Sequence, residues 1–304
     1  SSDHVTVLES NGNVGIGTTN PAAKLDIQGT LNVGEDDTGY DVNFYGSNSG
    51  SRFFWDEDRM ALRVGRDAGG THWAPDSIGN YSLATGYNTK ASGHTSTAMG
   101  FATTASGPYS TAMGNYTTAN GPYSTAMGNG STASGDRSTA MGFSTTASGH
   151  YSTAMGANTT ASRHYSTAMG NYTTASGYYS TAMGRSTTAS GDYSTAIGRW
   201  VTVDTSDAIV LGRGVSDSDR LVNNISNSLM IGFNDTTATL FVGGADKRVG
   251  IGTESPARKL HVNDVMRLEP RTTVPSSPQM GDMYIRSSDG KLMVYDGSVW
   301  QACW

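Results

Sequence analysis

The sequence predicts an all-β chain whose middle third is a β-solenoid, and three observations predict it. Glycine recurs 14 residues apart at 86, 100, 114, 128, 142, 156, 170, 184, 198 and 212. Within each interval the wording is close to Tyr-Ser-Thr-Ala-Met-Gly followed by small polar residues and a second glycine. Charged residues make up only 15% of the 304-residue chain, and Gly contributes 39 residues, nearly twice the usual share of about 7%. A chain so poor in charge and aliphatic bulk has no ordinary core, yet its polar residues are periodic, so its order comes from repetition.

Fourteen residues accommodate two short strands and two tight turns, with Gly expected where the backbone needs positive φ. Helical repeats need more residues, and Gly, Ser and Thr at this density disfavour helix. Stacked coils place each strand about 4.8 Å from its copy, in parallel, so identical residues form ladders and nine coils make a rod of roughly 40–45 Å. Alternation along the strand puts Thr111 and Met113 on one face, Ser110 and Ala112 on the other. Met99, Met113, Met127, Met141, Met155, Met169 and Met183, with Ile197 in the last good copy, are expected to form the repeat core. A second Gly stands at 93, 107, 121, 135, 149, 177 and 191, with Arg163 the exception.

Outside the period, the chain divides into short β-rich modules. Residues 1–34 carry a Val-Gly-Ile-Gly-Thr motif at Val14–Thr18, and 248–270 carry its duplicate at Val249–Thr253. Residues 35–80 alternate as strands do, 81–212 are the repeat, 213–247 read as irregular closing coils, and 271–304 as a hairpin around Ser288-Asp289-Gly290. Gly15-x-Gly17 and Gly250-x-Gly252 are not dinucleotide loops, because Asn20 or Ser255 stands where a third Gly is needed and no βαβ pattern follows.

The segment 81–212 resembles the Hep/Hag repeats in the heads of trimeric autotransporter adhesins, whose core reads Asn-Ser-Val-Ala-Ile-Gly. Tyr109-Ser110-Thr111-Ala112-Met113-Gly114 aligns with that core, and Tyr193-Ser194-Thr195-Ala196-Ile197-Gly198 matches it better. The resemblance implies a left-handed parallel β-roll, three rolls packed about a common axis, and adhesion. The family's inward Val is Thr here. The flanking modules are similar to those of phage tail fibres and related bacterial surface fibres.

Catalytic chemistry has no constellation to carry it. No His is spaced for metal binding with another His, Cys or carboxylate, although His150 and His164 lie 14 apart and would neighbour one another on adjacent coils. No Gly-x-Ser-x-Gly elbow has plausible partners, and Asp and Glu are almost absent from the repeat. No cofactor is implied. Acidic stretches at Glu35-Asp36-Asp37, Asp56-Glu57-Asp58 and Asp217-Ser218-Asp219 lack Ca²⁺-loop spacing and read as solvated loops, with Ca²⁺ left open. The net charge of −6 without a basic stripe argues against nucleic acid, and no apolar run is long enough to span a bilayer. Cys303, the single cysteine, excludes an intrachain disulfide.

One surface feature points to binding. Tyr109, Tyr123, Tyr151, Tyr165, Tyr179 and Tyr193 share a repeat position and would offer flat ring faces to sugars or a protein. The sequence therefore predicts a non-catalytic extracellular fibre subunit, self-associating as a homotrimer or further into head-to-tail filaments, with a host-surface glycan or protein as partner. The alternatives are a phage tail-fibre receptor-binding protein, a fibre-borne glycan-degrading enzyme, and an ice-binding protein. Ice binding fits poorly, because Thr117 and Thr118 are consecutive and point to opposite faces.

Overall fold

The structure, a computed structural model, describes residues 5–8, 13–28, 42–46 and 50–303. Among them all regular structure is β apart from one 3-10 turn, Pro75–Ser77. Each coil contributes a five-residue strand, such as Thr111–Asn115, and a two-residue strand, such as Thr118–Ala119. Equivalent strands pair in parallel with like on like: Thr111 on Thr125, Ala112 on Ala126, Met113 on Met127, Gly114 on Gly128. The solenoid thus has two facing sheets, one of long strands and one of short.

The long-strand sheet continues past the repeat at both ends. Ala61–Arg66 pairs in parallel with Leu83–Tyr87, and Ala208–Arg213 with Ser228–Phe233. At the start, Val42–Tyr45, Ser51–Asp56 and Ala61–Arg66 form an antiparallel meander. At the finish, Leu240–Gly243 turns back antiparallel onto Ser228–Phe233, followed by Arg248–Ile251 and Leu260–Val262. This last trio repeats the topology of Val5–Leu8, Asn13–Ile16 and Leu25–Ile27, one antiparallel and one parallel pairing in each. A separate sheet holds Met283–Arg286, Leu292–Tyr295 and Trp300–Ala302 in antiparallel order.

The lumen between the sheets is lined by the smallest side chains. In each coil of the repeat one Ala from each strand is completely buried, as Ala112 and Ala119 are, joined by two small hydroxyl side chains such as Ser110 and Thr117. Two fully buried alanines per coil remove little apolar surface from water. Cohesion comes instead from backbone hydrogen bonds between coils, each contributing about 0.5–1.5 kcal/mol net. Thr111 N donates to Ser124 O, Thr118 N to Ser131 O and Asn120 N to Ala133 O, all at 2.9 Å.

The two glycines of the repeat have different reasons. Gly114 has φ of +121°, and a Cβ there would meet Gly128 O at 2.1 Å. Gly121 lies outside the positive-φ region, but a Cβ on it would meet Gly135 O at 2.0 Å. Close approach of successive coils therefore favours glycine at both, and only the second position admits another residue, Arg163, within the repeat. The tight turns, where glycine was expected, hold other residues in the left-handed region: Tyr109 at φ +57° and Tyr116 at +50°. Such conformations cost roughly 1–2 kcal/mol per residue. The stack imposes them, because the amide of each turn residue is claimed by the preceding coil, Tyr109 N donating to His94 O and Tyr116 N to Phe101 O.

Both ends of the lumen are plugged by side chains that outgrow alanine. Arg63 occupies the position that Ala84 and Ala98 hold in the next two coils. Completely buried, its guanidinium donates to Leu62 O, Ser82 O, Ser82 Oγ and Ala91 O. Burial, partly opposed by Asp56, lowers its pKa to about 10, which leaves it charged at neutral pH. At the far end the inner position grows from Ala196 through Val210 and Met230 to Phe241, all buried. These caps end the ladder without leaving the lumen open.

Many lumen hydroxyls, including those of Ser110, Ser124, Ser138 and Ser152, have no hydrogen-bond partner. Ser166 Oγ, by contrast, donates to Arg163 O at 2.6 Å. Ser152→Ala should therefore leave stability unchanged or raise it by up to about 1 kcal/mol, while Ser166→Ala should lower it by about that amount. Paired urea-unfolding curves check the difference in sign.

Candidate interaction surfaces

Because the lumen of the regular repeat takes only Ala, Ser and Thr, the larger residues of its long strands face outward. The methionine row expected to be the repeat core is not inside the coil. Met99, Met113, Met127, Met141, Met155, Met169 and Met183 are half-buried on the outer face, and Ile197 is 39% exposed. The reason is volume: sheets close enough to bury alanine completely cannot admit methionine. Thr111 and its copies lie beside the methionines on the same face, also half-buried. The outcome is a straight strip of eight Thr and eight Met or Ile side chains along the long-strand sheet.

The tyrosine row runs along one turn edge, and its six members are 44–59% exposed. Adjacent rings stack face to face: Tyr109 on Tyr123 at 4.9 Å, Tyr151 on Tyr165 at 5.0 Å, Tyr165 on Tyr179 at 4.7 Å and Tyr179 on Tyr193 at 5.0 Å, within 8° of parallel. The expectation of ring faces free for sugars is corrected by this geometry. Coil spacing sets ring against ring within each stack, so away from the ends of the row the ladder shows solvent mainly its ring edges and hydroxyls. Arg137 fills the one gap, its guanidinium carbon 4.9 Å from the Tyr123 centroid and 5.3 Å from that of Tyr151. Sequence reading passed over Arg137, although it stands at the tyrosine position and guanidinium stacks on aromatic faces.

Histidines 150 and 164 do meet, with centroids 4.5 Å apart and His150 N donating to His164 Nδ1 at 3.0 Å. Asp136 Oδ2 stands 4.0 Å from His150 Nδ1. Among the described residues no group of three or more His, Cys, Asp or Glu is arranged to hold a metal. Of the acidic stretches, Asp56 is committed to Arg59 and Asp217 to Arg220, while 35–37 lies outside the described residues. Thr117 is buried and Thr118 half-buried outward, so consecutive threonines do serve opposite faces. Cys303 is exposed, and no helix among the described residues is long and apolar enough to cross a membrane.

A row absent from the sequence-level candidates follows the repeat glycine. Arg185, Arg199 and Arg213 occupy one register position on three successive strands. Their 14-residue spacing was visible, but other coils place Asn115, Ala157 or Asn171 there, so no motif marked it.

Comparison with known families bears directly on the repeat. Residues 77–103, 91–117, 119–145, 147–173 and 175–199 match the family described as YadA head domain repeat (2 copies). Each match spans about two coils of the solenoid, in the same frame as the strand register. No curated protein matches the chain.

Proposed function

We propose that this chain, whose residues 77–199 belong to the YadA head domain repeat family, is the subunit of an extracellular adhesive fibre and assembles as a homotrimer. The methionine–threonine strip carries the reading. Its methionines are too large for the lumen of the repeat, and the strip is regular over eight coils and only half covered within one chain. Three copies of a straight strip packed about a shared axis would complete the burial that the thin coil leaves undone. Methionine suits that seam, since its flexible thioether fills irregular gaps between identical surfaces.

Adhesion then falls to the remaining outer surface, where the tyrosine ladder provides a long line of ring edges and hydroxyls for a surface glycan or protein. Aromatic hydroxyls held on a rigid frame bind at low entropic cost. Light scattering of the purified chain tests the assembly: three times the 31.8 kDa of one chain is expected, and a mass of one chain overturns it.

A further inference from the structure

We propose that Arg185, Arg199 and Arg213, two of them held by Trp200, form a binding site for the carboxylate or sulfate groups of an acidic polysaccharide. Arg199 pairs with Arg185 on one side and Arg213 on the other in the parallel sheet, so neighbouring backbones are about 4.8 Å apart and the column spans roughly 10 Å. Like charges in such a column repel, and no ion pair within 4.0 Å is formed by any of the three with a described carboxylate. The nearby loop does not neutralise them. Asp217 is paired with Arg220, and Asp219 accepts from Ser216 and Ser218. Partial burial, then the charges of Arg185 and Arg213, lower the pKa of Arg199, and its Nε has no hydrogen-bond partner.

Trp200 holds two of the three guanidinium groups. The Arg199 guanidinium carbon lies 3.6 Å from the Trp200 centroid and that of Arg213 lies 5.6 Å away. Trp200 itself is fixed in the left-handed region at φ +56°, its amide donating to Arg185 O and its carbonyl accepting from Leu221 N. Guanidinium forks held in a line suit planar or tetrahedral oxyanions repeated along a polymer. A nucleic acid fits less well. The chain is net negative with no basic stripe to follow a phosphate backbone, and Trp200, the ring within the column, is occupied by guanidinium, although Phe233 beside Arg213 stays exposed.

The test uses the full chain, with Arg185, Arg199 and Arg213 all changed to Asn, the residue that other coils carry at this position as Asn115, Asn129 and Asn171. Heparin, polygalacturonate, uncharged dextran and single-stranded DNA are titrated at two salt concentrations. The native chain should bind heparin or polygalacturonate but not dextran, and the triple variant should lose at least about tenfold in affinity, the equivalent of about 1.4 kcal/mol. A control triple, Arg258→Gln, Arg267→Gln and Arg271→Gln, should leave binding unchanged.

Equal loss in both triples would reduce the effect to net charge and overturn the site, as would native binding to DNA as tight as to the polysaccharides. A triple variant that changes oligomeric mass would instead assign the column to chain–chain contact and overturn the proposal. If the triple fails to fold, Arg199→Asn alone decides, with an unchanged heparin affinity counting against the site. The inference rests on the fibre reading only for its biological setting: a monomer that still binds through these arginines would defeat that reading and leave the site standing.

Discussion

Gly156→Ala is expected to destabilise the solenoid by about 3–5 kcal/mol, enough to lose cooperative folding of the neighbouring coils. Gly156 has φ of +122°, and an added Cβ would lie 2.0 Å from Gly170 O and 2.9 Å from Gly170 C. Relief would require moving backbone rather than a side chain. The backbone in question belongs to Thr167–Asn171, which is held in five-residue register with strands on both sides. Gly130→Ala is the matched control. Gly130 has φ of +63°, a value its register copies Tyr116 and Ser144 adopt at +50°, and the nearest atom to its Cβ would be Ser144 Oγ at 3.7 Å. It should cost about 1–2 kcal/mol, the left-handed penalty without the backbone clash. Thermal or urea unfolding of the two variants gives the contrast, and equal effects would show that coil contact is not what the glycine protects.

The second large effect concerns assembly. Met155→Asp should convert the proposed trimer to single chains while leaving the coil folded. Met155 is half-buried on the outer face of Thr153–Ala157, so in one chain the carboxylate stays in water and costs little. In the proposed trimer three carboxylates converge on an apolar seam, and each unpaired buried charge costs several kcal/mol. Mass by light scattering should fall to one chain, with the β signature in far-ultraviolet circular dichroism retained. A Met155→Asp chain that keeps its mass would place the seam elsewhere, and one that loses its β signature would show that the row supports the coil itself.

The 14-residue glycine beat made the parallel solenoid readable, because identical spacing forces identical strands into register, and the strands Thr97–Phe101 through Thr195–Arg199 follow it coil by coil. Which face of the strand is interior was harder to read. Alternation separates Ser110 and Ala112 from Thr111 and Met113, but hydrophobicity points to methionine as core while volume points to alanine, and the narrow gap between sheets makes volume decisive. Glycine at positive φ was readable at Gly114 and its copies, but these lie in the strand and not in the tight turns. Isolated turns favour Gly at positive φ, whereas here hydrogen bonds from the adjoining coil hold Tyr109 and Tyr116 there. Ring stacking followed from the spacing alone, since copies about 4.8 Å apart leave no room for a ligand between tyrosines.

Arg63 lay beyond what periodicity could reveal. Its coil precedes the regular repeat, with 21 residues from Gly65 to Gly86, so nothing in the sequence aligned it with the alanine row. Only the stacked fold shows that an open coil end offers it the carbonyls of Ser82 and Ala91.

The central claim, that the methionine strip is the seam between chains, is tested most directly by cysteine cross-linking. In a Cys303→Ser background, which removes the exposed native thiol, single cysteines replace Met155 or Tyr165 and the protein is oxidised under mild conditions. Disulfide-linked chains should form at high yield from Met155→Cys and not from Tyr165→Cys, whose side chain belongs to the outward tyrosine edge. Efficient linkage through position 165, with none through 155, would contradict the account.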